Sequence, residues 1–348
     1  MWLSMIVVVI VPWYTVTCHL NESAHEHLQP SPRWPAPGDM IKFINQLNTT
    51  WKAGRNYLDR LPVSTVDRMF GVIPPHYGYK SPLSTVKTVK IDGLPEQFDA
   101  RKHWSNCVTI REIRNQGWCG ACWAFGAVEA MSDRICISSG GTTQVRLSAL
   151  DLLSCCTYCG YGCGGGIPDY AWAYWVKSGI VTGGEYHSQY GCRPYFIPSL
   201  NGSRSSRFLS SVDFTPQCVQ QCDQQYSGTY EQDKHHGSNA YRISSDIDDI
   251  QSEIYRNWPV QVSFGIYEDF RKYESGVYQH VTGRYLSGHS IKLIGWGKEN
   301  GVPYWLAANS WGTGWGEGGF VKFLRGTNEC GIEEHVLAGT PDLLSMDK

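Results

Sequence analysis

The chain has 348 residues, of which 42% are hydrophobic and 13% aromatic, which is ample for a globular body of one or two domains. Its formal net charge of -2 at pH 7 provides no electrostatic attraction to nucleic acids or anionic membranes, and neither is expected as a partner. Composition alone therefore indicates a soluble globular protein and no particular activity.

The N-terminus carries an apolar run from Met1 to Val11 that ends at Pro12. The run is too short for a membrane-spanning helix, and polar sequence follows from Thr17. It predicts a signal peptide over residues 1–17 and no membrane anchor, although no Lys or Arg precedes the run. A buried N-terminal strand is the alternative interpretation.

Thirteen cysteines are unusual for a reduced cytosolic protein and indicate an oxidising compartment. Sequons for N-glycosylation begin at Asn21, Asn48 and Asn201 and agree with a secretory route. We therefore expect the protein in the secretory pathway, with the lysosome, a digestive lumen or the extracellular space as its destination.

A first helix is predicted after Asp39, which resembles an N-cap and precedes apolar residues at helical spacing: Met40, Ile41, Phe43, Ile44, Leu47 and Trp51. Irregular sequence that includes two consecutive prolines follows over residues 63–93. These features predict a pro-segment over residues 18–93 that wraps on a larger domain over residues 94–348.

Further helices are predicted for Cys122 to about Ser138, Ser148–Cys155 with Ser148 as cap, Pro168–Ser178 and Asp246–Asn257. Short β-prone runs separated by Gly or polar turns then dominate, at Val260–Ile266, Ser290–Trp296, Tyr304–Asn309 and Gly319–Arg325. Helices followed by strands predict an α+β protein with a helical lobe and an antiparallel β lobe.

The strongest local signal is the segment from Gln116 to Phe125, which reads Gln-Gly-Trp-Cys-Gly-Ala-Cys-Trp-Ala-Phe. Cys122 is expected to begin a helix, where the helix dipole and free N–H groups favour a thiolate. A thiolate attacks acyl carbons, and a neighbouring imidazole generates it. Gln116 is expected to supply a side-chain N–H beside the Cys122 amide as an oxyanion hole.

Candidate partners of this nucleophile lie far downstream. His289 stands at the start of one β-prone run, and Asn309 ends another in the sequence Asn-Ser-Trp-Gly. An Asn amide accepts the imidazole N–H and sets its tautomer, while an indole such as that of Trp311 shields the bond from water. One His among eleven is weak evidence, but the His and the Asn-Ser-Trp-Gly in this order are specific.

Cys119 and Cys122 alone would also fit a redox pair or half a zinc site. Residues 119–123, however, match in full the Cys-Gly-[Ser/Ala]-Cys-[Trp/Tyr] signature of papain-type proteases. The chain therefore resembles the papain family, and within it the cathepsin B group, from about Asp39 to Pro341. The resemblance implies a papain-like fold, a Cys-His-Asn peptidase and a pro-segment that inhibits it. Similar segments are residues 48–51, 94–101, 127–137, 191–195, 232–235, 278–283 and 330–333.

The separation between Cys122 and His289 exceeds the roughly 130–150 residues typical of papain-type enzymes. The surplus lies near residues 192–222, where cathepsin B carries a loop that occludes one end of the cleft. That loop presents two adjacent histidines to the substrate's C-terminal carboxylate, but here residues 197–204 read Ile-Pro-Ser-Leu-Asn-Gly-Ser-Arg. The loop's own small disulfide is also missing.

The acids that anchor the loop in cathepsin B have changed as well. One corresponds to Asn115 here, and the acid that pairs with the loop arginine, Arg204, corresponds to Gly314. Neither residue replaces a carboxylate in an ion pair. We therefore expect weak or absent dipeptidyl carboxypeptidase activity and cleavage of internal peptide bonds.

The resemblance also implies disulfides, which are Cys107–Cys136, Cys119–Cys163, Cys155–Cys218, Cys156–Cys159 and Cys192–Cys222. They leave Cys122 reduced and Cys330 as a buried free thiol. A zinc cluster of Cys155, Cys156, Cys159 and Cys163 is the alternative, but it is not favoured in an oxidising compartment, and no metal or other cofactor is expected.

By the same resemblance, substrate contacts are expected at Gly165, Gly166, Ile167, Pro168, Ser263, Ser290, Trp311 and His335. His335 replaces the glutamate that closes the pocket (S2) for P2, the residue second before the cleaved bond. A protonated imidazole there is expected to disfavour Arg at P2 and favour apolar or uncharged residues. Alternatively, His335 turns to solvent and only enlarges the pocket.

Two other interpretations remain at this point. A catalytically inactive binding protein is one, and the unusual Trp118 and Ala121 beside the nucleophile are its support. An ordinary cathepsin B with intact exopeptidase activity is the other. We expect a monomer whose partners are protein and peptide substrates, its own pro-segment and cystatin-like inhibitors.

Overall fold

The computed structural model describes residues 39–74, 79–199 and 215–343. The predicted signal peptide, the sequons at Asn21 and Asn201, and Arg204 lie outside these ranges. The third sequon begins at Asn48, an exposed residue with left-handed backbone (φ 52°). Among the described helices, none is both long and apolar enough to cross a membrane.

Seven α-helices occur in the described part of the chain. They are α1 (Met40–Gln46), α2 (Val63–Asp67), α3 (Ala100–His103), α4 (Cys122–Ser138), α5 (Ala149–Cys155), α6 (Pro168–Ser178) and α7 (Ile247–Asn257). Short 3-10 helices lie at Tyr57–Arg60, Val108–Arg111, Gly162–Gly164, Glu268–Lys272 and Glu329–Gly331. The four helices predicted within residues 94–348 are confirmed.

Helix boundaries follow the capping chemistry of the sequence. The Ser148 side chain accepts a hydrogen bond from the Asp151 N–H at the start of α5. Asp246 caps α7 in the same way. A proline at the first position of α6 costs no intrahelical hydrogen bond, and Gly179 with φ 70° ends that helix.

The strands are β1 (Trp51–Ala53), β2 (Thr85–Val86), β3 (Phe98–Asp99), β4 (Gly237–Ile243), β5 (Val260–Tyr267), β6 (Tyr273–Tyr278), β7 (Tyr285–Glu299), β8 (Val302–Ala308), β9 (Phe320–Leu324) and β10 (His335–Pro341). Their order is β1-β6-β9-β8-β7-β5-β10-β4-β2, and β3 pairs with β7. Most pairs are antiparallel as predicted, but β6 with β9 and β2 with β4 are parallel.

One helix prediction was too long. Helix α1 ends at Gln46, and Trp51 instead begins β1, which pairs with β6 of the larger domain. The exposed, left-handed Asn48 interrupts the helix between the two elements. The buried Trp51 side chain packs on Tyr278, with 5.1 Å between ring centroids, so the pro-segment is fixed to the domain by this strand.

The central helix α4 is buried along nearly its whole length, and β7, α6 and β10 pack against it. Two buried ion pairs join it to neighbouring elements: Asp133 to Lys292 of β7 at 2.7 Å and Arg134 to Glu253 of α7 at 2.9 Å. Buried charges persist only when paired in this way. They hold α4, whose first residue is Cys122, at a fixed position relative to the sheet.

Disulfide bonds join the cysteines in the pairs Cys107–Cys136, Cys119–Cys163, Cys155–Cys218, Cys156–Cys159 and Cys192–Cys222. The four cysteines considered for a zinc cluster are therefore all oxidised here. Cys122 and Cys330 are buried and lie outside these disulfides. Within the described ranges, no group of three or more His, Cys, Asp or Glu side chains has an arrangement that could hold a metal ion.

Candidate active site

Cys122 is the first residue of α4, and its thiol lies at the positive end of the helix dipole. The loop before Cys122 is joined to the segment around Cys163 by the Cys119–Cys163 disulfide and by the hydrogen bond from the Gly120 N–H to the Cys163 carbonyl at 3.0 Å. Because the loop is cross-linked one turn before the helix, the direction of the Cys122 side chain is fixed.

His289 lies on β7 opposite Phe264 of β5, and its ring is fully buried. The Nε2 atom is 2.9 Å from Oδ1 of Asn309, which follows β8 directly. Trp311 packs beside the pair, with 4.9 Å between its ring centroid and that of His289. An acceptor at Nε2 favours the Nε2–H tautomer, which leaves Nδ1 as the basic nitrogen.

The residue after His289 connects this strand to the predicted nucleophile. The backbone N–H of Ser290, the residue after His289, contributes a hydrogen bond to the Cys122 thiol. His289 Nδ1 is buried and has no hydrogen-bond partner among the described residues. Cys122, His289 and Asn309, which the sequence predicts as a catalytic set, are therefore brought close together from α4, β7 and the end of β8.

Gln116 is fully buried beside this group. Its Nε2 donates to the Met69 carbonyl and to the Cys119 carbonyl, both at 2.7 Å, while its Oε1 accepts from the Ser310 hydroxyl at 2.7 Å. The two carbonyls can only accept hydrogen bonds, so they fix which end of the amide is the nitrogen, and this N–H end points at Met69. The side-chain N–H that the sequence predicts as an oxyanion donor is therefore bound by a carbonyl of the pro-segment.

The pro-segment occupies the cleft at this point. The Gly71 N–H donates to the Cys122 Sγ at 3.2 Å, and the Gly71 carbonyl accepts from the Gly166 N–H at 2.8 Å. The Val72 N–H donates to the Gly288 carbonyl at 3.1 Å. Sequence reasoning predicted a pro-segment but not which residues cover the nucleophile, because no local motif distinguishes them.

Burial under the pro-segment changes the electrostatics of the pair. Burial raises the pKa of the Cys122 thiol from 9.0 to about 11, and the Gly71 and Ser290 N–H groups offset this only in part. Burial lowers the pKa of His289 from 6.5 to about 4, although the hydrogen bond to Asn309 opposes the change. Between these values both groups are neutral, so the covered site holds a thiol and not a thiolate.

The predicted substrate contacts lie on two sides of the covered cleft. Gly165 and Gly166 lie against the pro-segment, where the Ile73 N–H donates to the Gly166 carbonyl at 3.0 Å. Ile167 and Pro168 follow at the start of α6. On the other side, His335, Ser263 and Ser290 stand opposite one another in a row across β10, β5 and β7.

His335 has a partner that sequence reasoning missed. Its Nε2 lies 2.6 Å from Oδ2 of Asp169, the second residue of α6, whose side chain is fully buried. No sequence signal connected the two, because they are far apart in the chain and neither belongs to a motif. A protonated His335 is therefore paired with an acid rather than alone, which changes the charge expected for this pocket.

The described part of the predicted loop lies beside the nucleophile's loop. Ile197 packs against Gly117, where an added Cβ would lie 2.4 Å from the Ile197 side chain. Asn115 donates from Nδ2 to the Ser199 hydroxyl at 2.9 Å. Gly314, the other position corresponding to an anchor, is exposed. This end of the loop is held by neutral contacts.

Comparison with known proteins gives two family matches. The model of the papain family cysteine protease matches residues 94–340, and that of the peptidase family C1 propeptide matches residues 38–76. Cathepsin B-like cysteine proteinase 5 of Caenorhabditis elegans is 45% identical over 313 residues, which are 87% of this chain and 90% of the relative. The cathepsin B-like cysteine proteinase of Schistosoma japonicum is 51% identical over 249 residues, covering 71% and 73%.

Solved structures of related proteins show a similar fold. The procathepsin B S9 structure from Trypanosoma congolense has a TM-score of 0.76 and 39% identity, and covers 87% of this chain and 97% of that one. The digestive procathepsin L2 proteinase of Tenebrio molitor, at 22% identity and a TM-score of 0.65, shares the fold; it covers 87% of this chain and 88% of that one. The predicted α+β, papain-like architecture is confirmed.

Proposed function

The chain belongs to the papain family of cysteine proteases and is cathepsin B-like, and from that premise we propose that its mature form is an endopeptidase that acts through Cys122, His289 and Asn309. The observation that carries the proposal is that the helix-initial Cys122 receives a hydrogen bond from the N–H of Ser290, the neighbour of a buried His289 whose Nε2 is bound by Asn309 at 2.9 Å. A protein used only for binding would not need the Nδ1 atom to be left without a partner.

Removal of the pro-segment exposes the thiol and the imidazole to water, so the desolvation that keeps both neutral is relieved. His289 Nδ1 then takes the thiol proton, and the Cys122 sulfur attacks the carbonyl carbon of the peptide bond. The carbonyl oxygen becomes an oxyanion, which the Cys122 backbone N–H and the Gln116 Nε2–H stabilise.

The tetrahedral intermediate collapses when His289 gives its proton to the leaving amine, and a thioester remains on Cys122. Water then attacks the thioester carbon, His289 takes a proton from that water, and the acid product leaves with the thiol regenerated. Asn309 holds the ring by accepting the Nε2–H throughout, and the buried Trp311 keeps water from this hydrogen bond.

Internal cleavage is the preferred mode because the loop lacks the two adjacent histidines that bind a terminal carboxylate in cathepsin B. Residues 197–204 contain no histidine. Asn115 and Gly314 supply no carboxylate to hold a closing loop by ion pairs. The histidines on which the exopeptidase mode depends and the acids that would hold the loop closed are therefore both missing from the sequence.

The test uses one peptide in two forms, with a free C-terminal carboxylate and with a C-terminal amide. Each form is digested by the acid-activated enzyme, and the products are identified by mass spectrometry. Cys122→Ala protein, processed in trans, is the control. We expect internal cuts at equal rates in both peptides and none with the variant. A ladder of dipeptides from the free C-terminus, absent from the amide, would instead mean that another group binds the carboxylate.

Labelling the activated protein with a thiol-reactive epoxide distinguishes an active enzyme from an inactive binding protein. Stoichiometric labelling at Cys122 that requires His289 excludes a binding protein. The route through the secretory pathway, the lysosomal or extracellular destination and inhibition by cystatin-like proteins belong to the same proposal. The ten cysteines joined in disulfides support an oxidising compartment.

A further inference from the structure

Residues 79–93, here called the linker, connect the part of the pro-segment that covers the nucleophile to the start of the larger domain. The propeptide match ends at residue 76 and the protease match begins at residue 94, so neither family model includes the linker. From Ser84 onward it lies on β4 and α7, on a surface that the peptidase mechanism does not use.

The linker covers one edge of the sheet. Strand β2 of the linker pairs in parallel with β4, whose other neighbour among the described strands is β10. The Arg242 N–H donates to the Ser84 carbonyl and the Ser244 N–H to the Val86 carbonyl, both at 3.0 Å. These two bonds use only backbone atoms of the linker, so any extended chain can form them. Removal of the linker leaves an open strand edge, to which extended segments of other proteins add as a further strand.

Side-chain contacts make this surface selective. Leu83 and Val86 of the linker are partly buried and pack against the main hydrophobic core. Four residues after Val86, the Lys90 Nζ atom lies 3.0 Å from Asp246 Oδ2 and 3.3 Å from Asp248 Oδ2 at the start of α7. A chain with two apolar residues three positions apart, and a cation four positions after the second, makes the same contacts.

A buried hydroxyl fixes the register of the bound chain. Ser252 of α7 is fully buried, and its hydroxyl accepts a hydrogen bond from the Ile91 N–H at 3.1 Å. This bond again involves only the backbone of the linker, one residue after the cation. The β4 edge, the two acids and the Ser252 hydroxyl therefore bind one extended chain at three separate points along its length.

We propose that the surface formed by the β4 edge and α7, once the linker is removed, is a second binding site of the mature protein for extended segments of other proteins. These segments carry two apolar residues three positions apart and Lys or Arg four positions after the second. In the proenzyme the linker occupies the place of this partner. The inference goes beyond the proposed function, because such binding requires neither Cys122 nor His289.

The acids determine which partner is preferred. Lys90, Asp246 and Asp248 are all largely exposed, so each ion pair contributes little and is weakened by salt. We therefore expect the cation to change affinity by roughly fivefold, while the strand bonds and the apolar contacts supply the rest. A reversed charge at the same position should be repelled by both acids.

The experiment measures fluorescence anisotropy of a labelled peptide of residues 82–93 with mature Cys122→Ala protein, processed in trans and verified by mass spectrometry to begin at Leu94. We expect saturable binding that weakens roughly fivefold in the Lys90→Glu peptide and as salt is raised. The uncleaved proenzyme, whose own linker fills the surface, should not bind. Equal affinity of the two peptides, or no saturable binding up to about 1 mM, would overturn the inference.

Charge reversal on the protein locates the bound peptide. Asp248→Lys protein should bind the natural peptide roughly fivefold more weakly and should regain affinity for the Lys90→Glu peptide. Glu96→Lys, at an exposed acid that pairs with Lys298 instead, is the matched control and should bind both peptides as the unchanged protein does. If Asp248→Lys does not reverse the preference, the peptide binds elsewhere and the inference is wrong.

Peptide variants keep the test independent of protein folding. The Val86→Asp peptide should bind more weakly, because a carboxylate replaces the buried apolar contact. A peptide of unrelated sequence that keeps only the spacing of the two apolar residues and the cation should bind within roughly fivefold of the linker peptide. If it does not bind, the surface accepts only the linker, and the proposal of a site for other proteins fails.

Discussion

Gly71 crosses Gly120 so closely that replacing it with Ala is expected to release the pro-segment from the cleft. A Cβ on Gly71 would lie 1.8 Å from the Gly120 carbonyl oxygen and 2.4 Å from its carbon. Both atoms are backbone, and Gly120 is itself held by its hydrogen bond to Cys163 at 3.0 Å and by the adjacent disulfide. The domain therefore cannot move aside, and the pro-segment must.

The cost follows from the contacts made by the displaced segment. A shift of Gly71 breaks the hydrogen bonds from its N–H to Cys122, from Gly166 to its carbonyl, and from Val72 to Gly288. At about 1 kcal/mol net for each bond, the covered state loses about 3 kcal/mol relative to the open state. That corresponds to roughly a hundredfold increase in the open fraction.

The assay labels Cys122 in the uncleaved proenzyme at neutral pH with a thiol-reactive epoxide, and measures the second-order rate constant. We expect the constant to rise by roughly a hundredfold in Gly71→Ala protein, because reagent reaches the thiol only in the open state. Val63→Ala, at an exposed pro-segment residue, is the control and should leave it unchanged.

The reasoning would be refuted if Gly71→Ala proenzyme reacted at the wild-type rate with an unchanged melting temperature. That result would mean that the pro-segment accommodates a methyl group without leaving the thiol, and that the contact at Gly120 does not govern inhibition. A slower reaction would refute it equally.

Three further predictions concern the protonation of His289, the buried ion pair of Lys292 with Asp133, and the thiol of Cys330. In Cys122→Ser proenzyme, NMR titration should show His289 neutral down to about pH 4, because its pKa is lowered from 6.5. The covered state should therefore lose stability relative to the open state as the pH falls from 6.5 to about 4. A titration midpoint near 6.5 would contradict this prediction. Lys292→Met leaves Asp133 buried without its cation and should lower the free energy of unfolding by about 3–5 kcal/mol, measured by thermal or denaturant unfolding. Adding Asp133→Asn to this variant should restore part of the lost stability. A loss below about 1 kcal/mol in the single variant would contradict the prediction. Cys330→Ala removes a thiol that donates a hydrogen bond to the Glu329 carboxylate at 3.2 Å, and should lower the free energy of unfolding by about 1 kcal/mol with peptidase activity and the disulfide map unchanged. Altered pairing on peptide mapping would contradict this and show that the cysteine takes part in a disulfide.

The helices were predictable because their ends carry local chemical signals. Helix α6 begins at a proline and ends before a glycine, and α5 begins after a capping serine, as the sequence indicated. Strands β4 and β10 were not predicted, since their polar and apolar residues alternate irregularly and pairing with distant strands stabilises them. Trp51 was assigned to a helix because its spacing fits one, yet its burial against Tyr278 determines that it lies in a strand.

The residues of the candidate site also differ in whether the sequence alone could identify them. Cys122, His289 and Asn309 each stand in a short motif whose residue types serve the chemistry locally, so the sequence was sufficient to name them. Asp169 stands in none: its importance arises from a contact with His335 across the cleft, and only the folded chain brings the two within 2.6 Å. Sequence reasoning therefore assigned His335 an uncompensated charge that the structure does not give it.

Three features of the covered site explain why the pro-segment resists cleavage. It presents the N–H of Gly71 to the sulfur of Cys122 at 3.2 Å, so a hydrogen-bond donor and not an electrophilic carbon faces the nucleophile. It also desolvates the site so that the thiol pKa is about 11 and the imidazole pKa about 4, which prevents the proton transfer that makes the thiolate. Meanwhile the Met69 carbonyl uses the Gln116 Nε2–H that would otherwise bind an oxyanion. Inhibition thus uses the groups that catalysis is expected to need, which are the thiol, the imidazole and the side-chain N–H of Gln116.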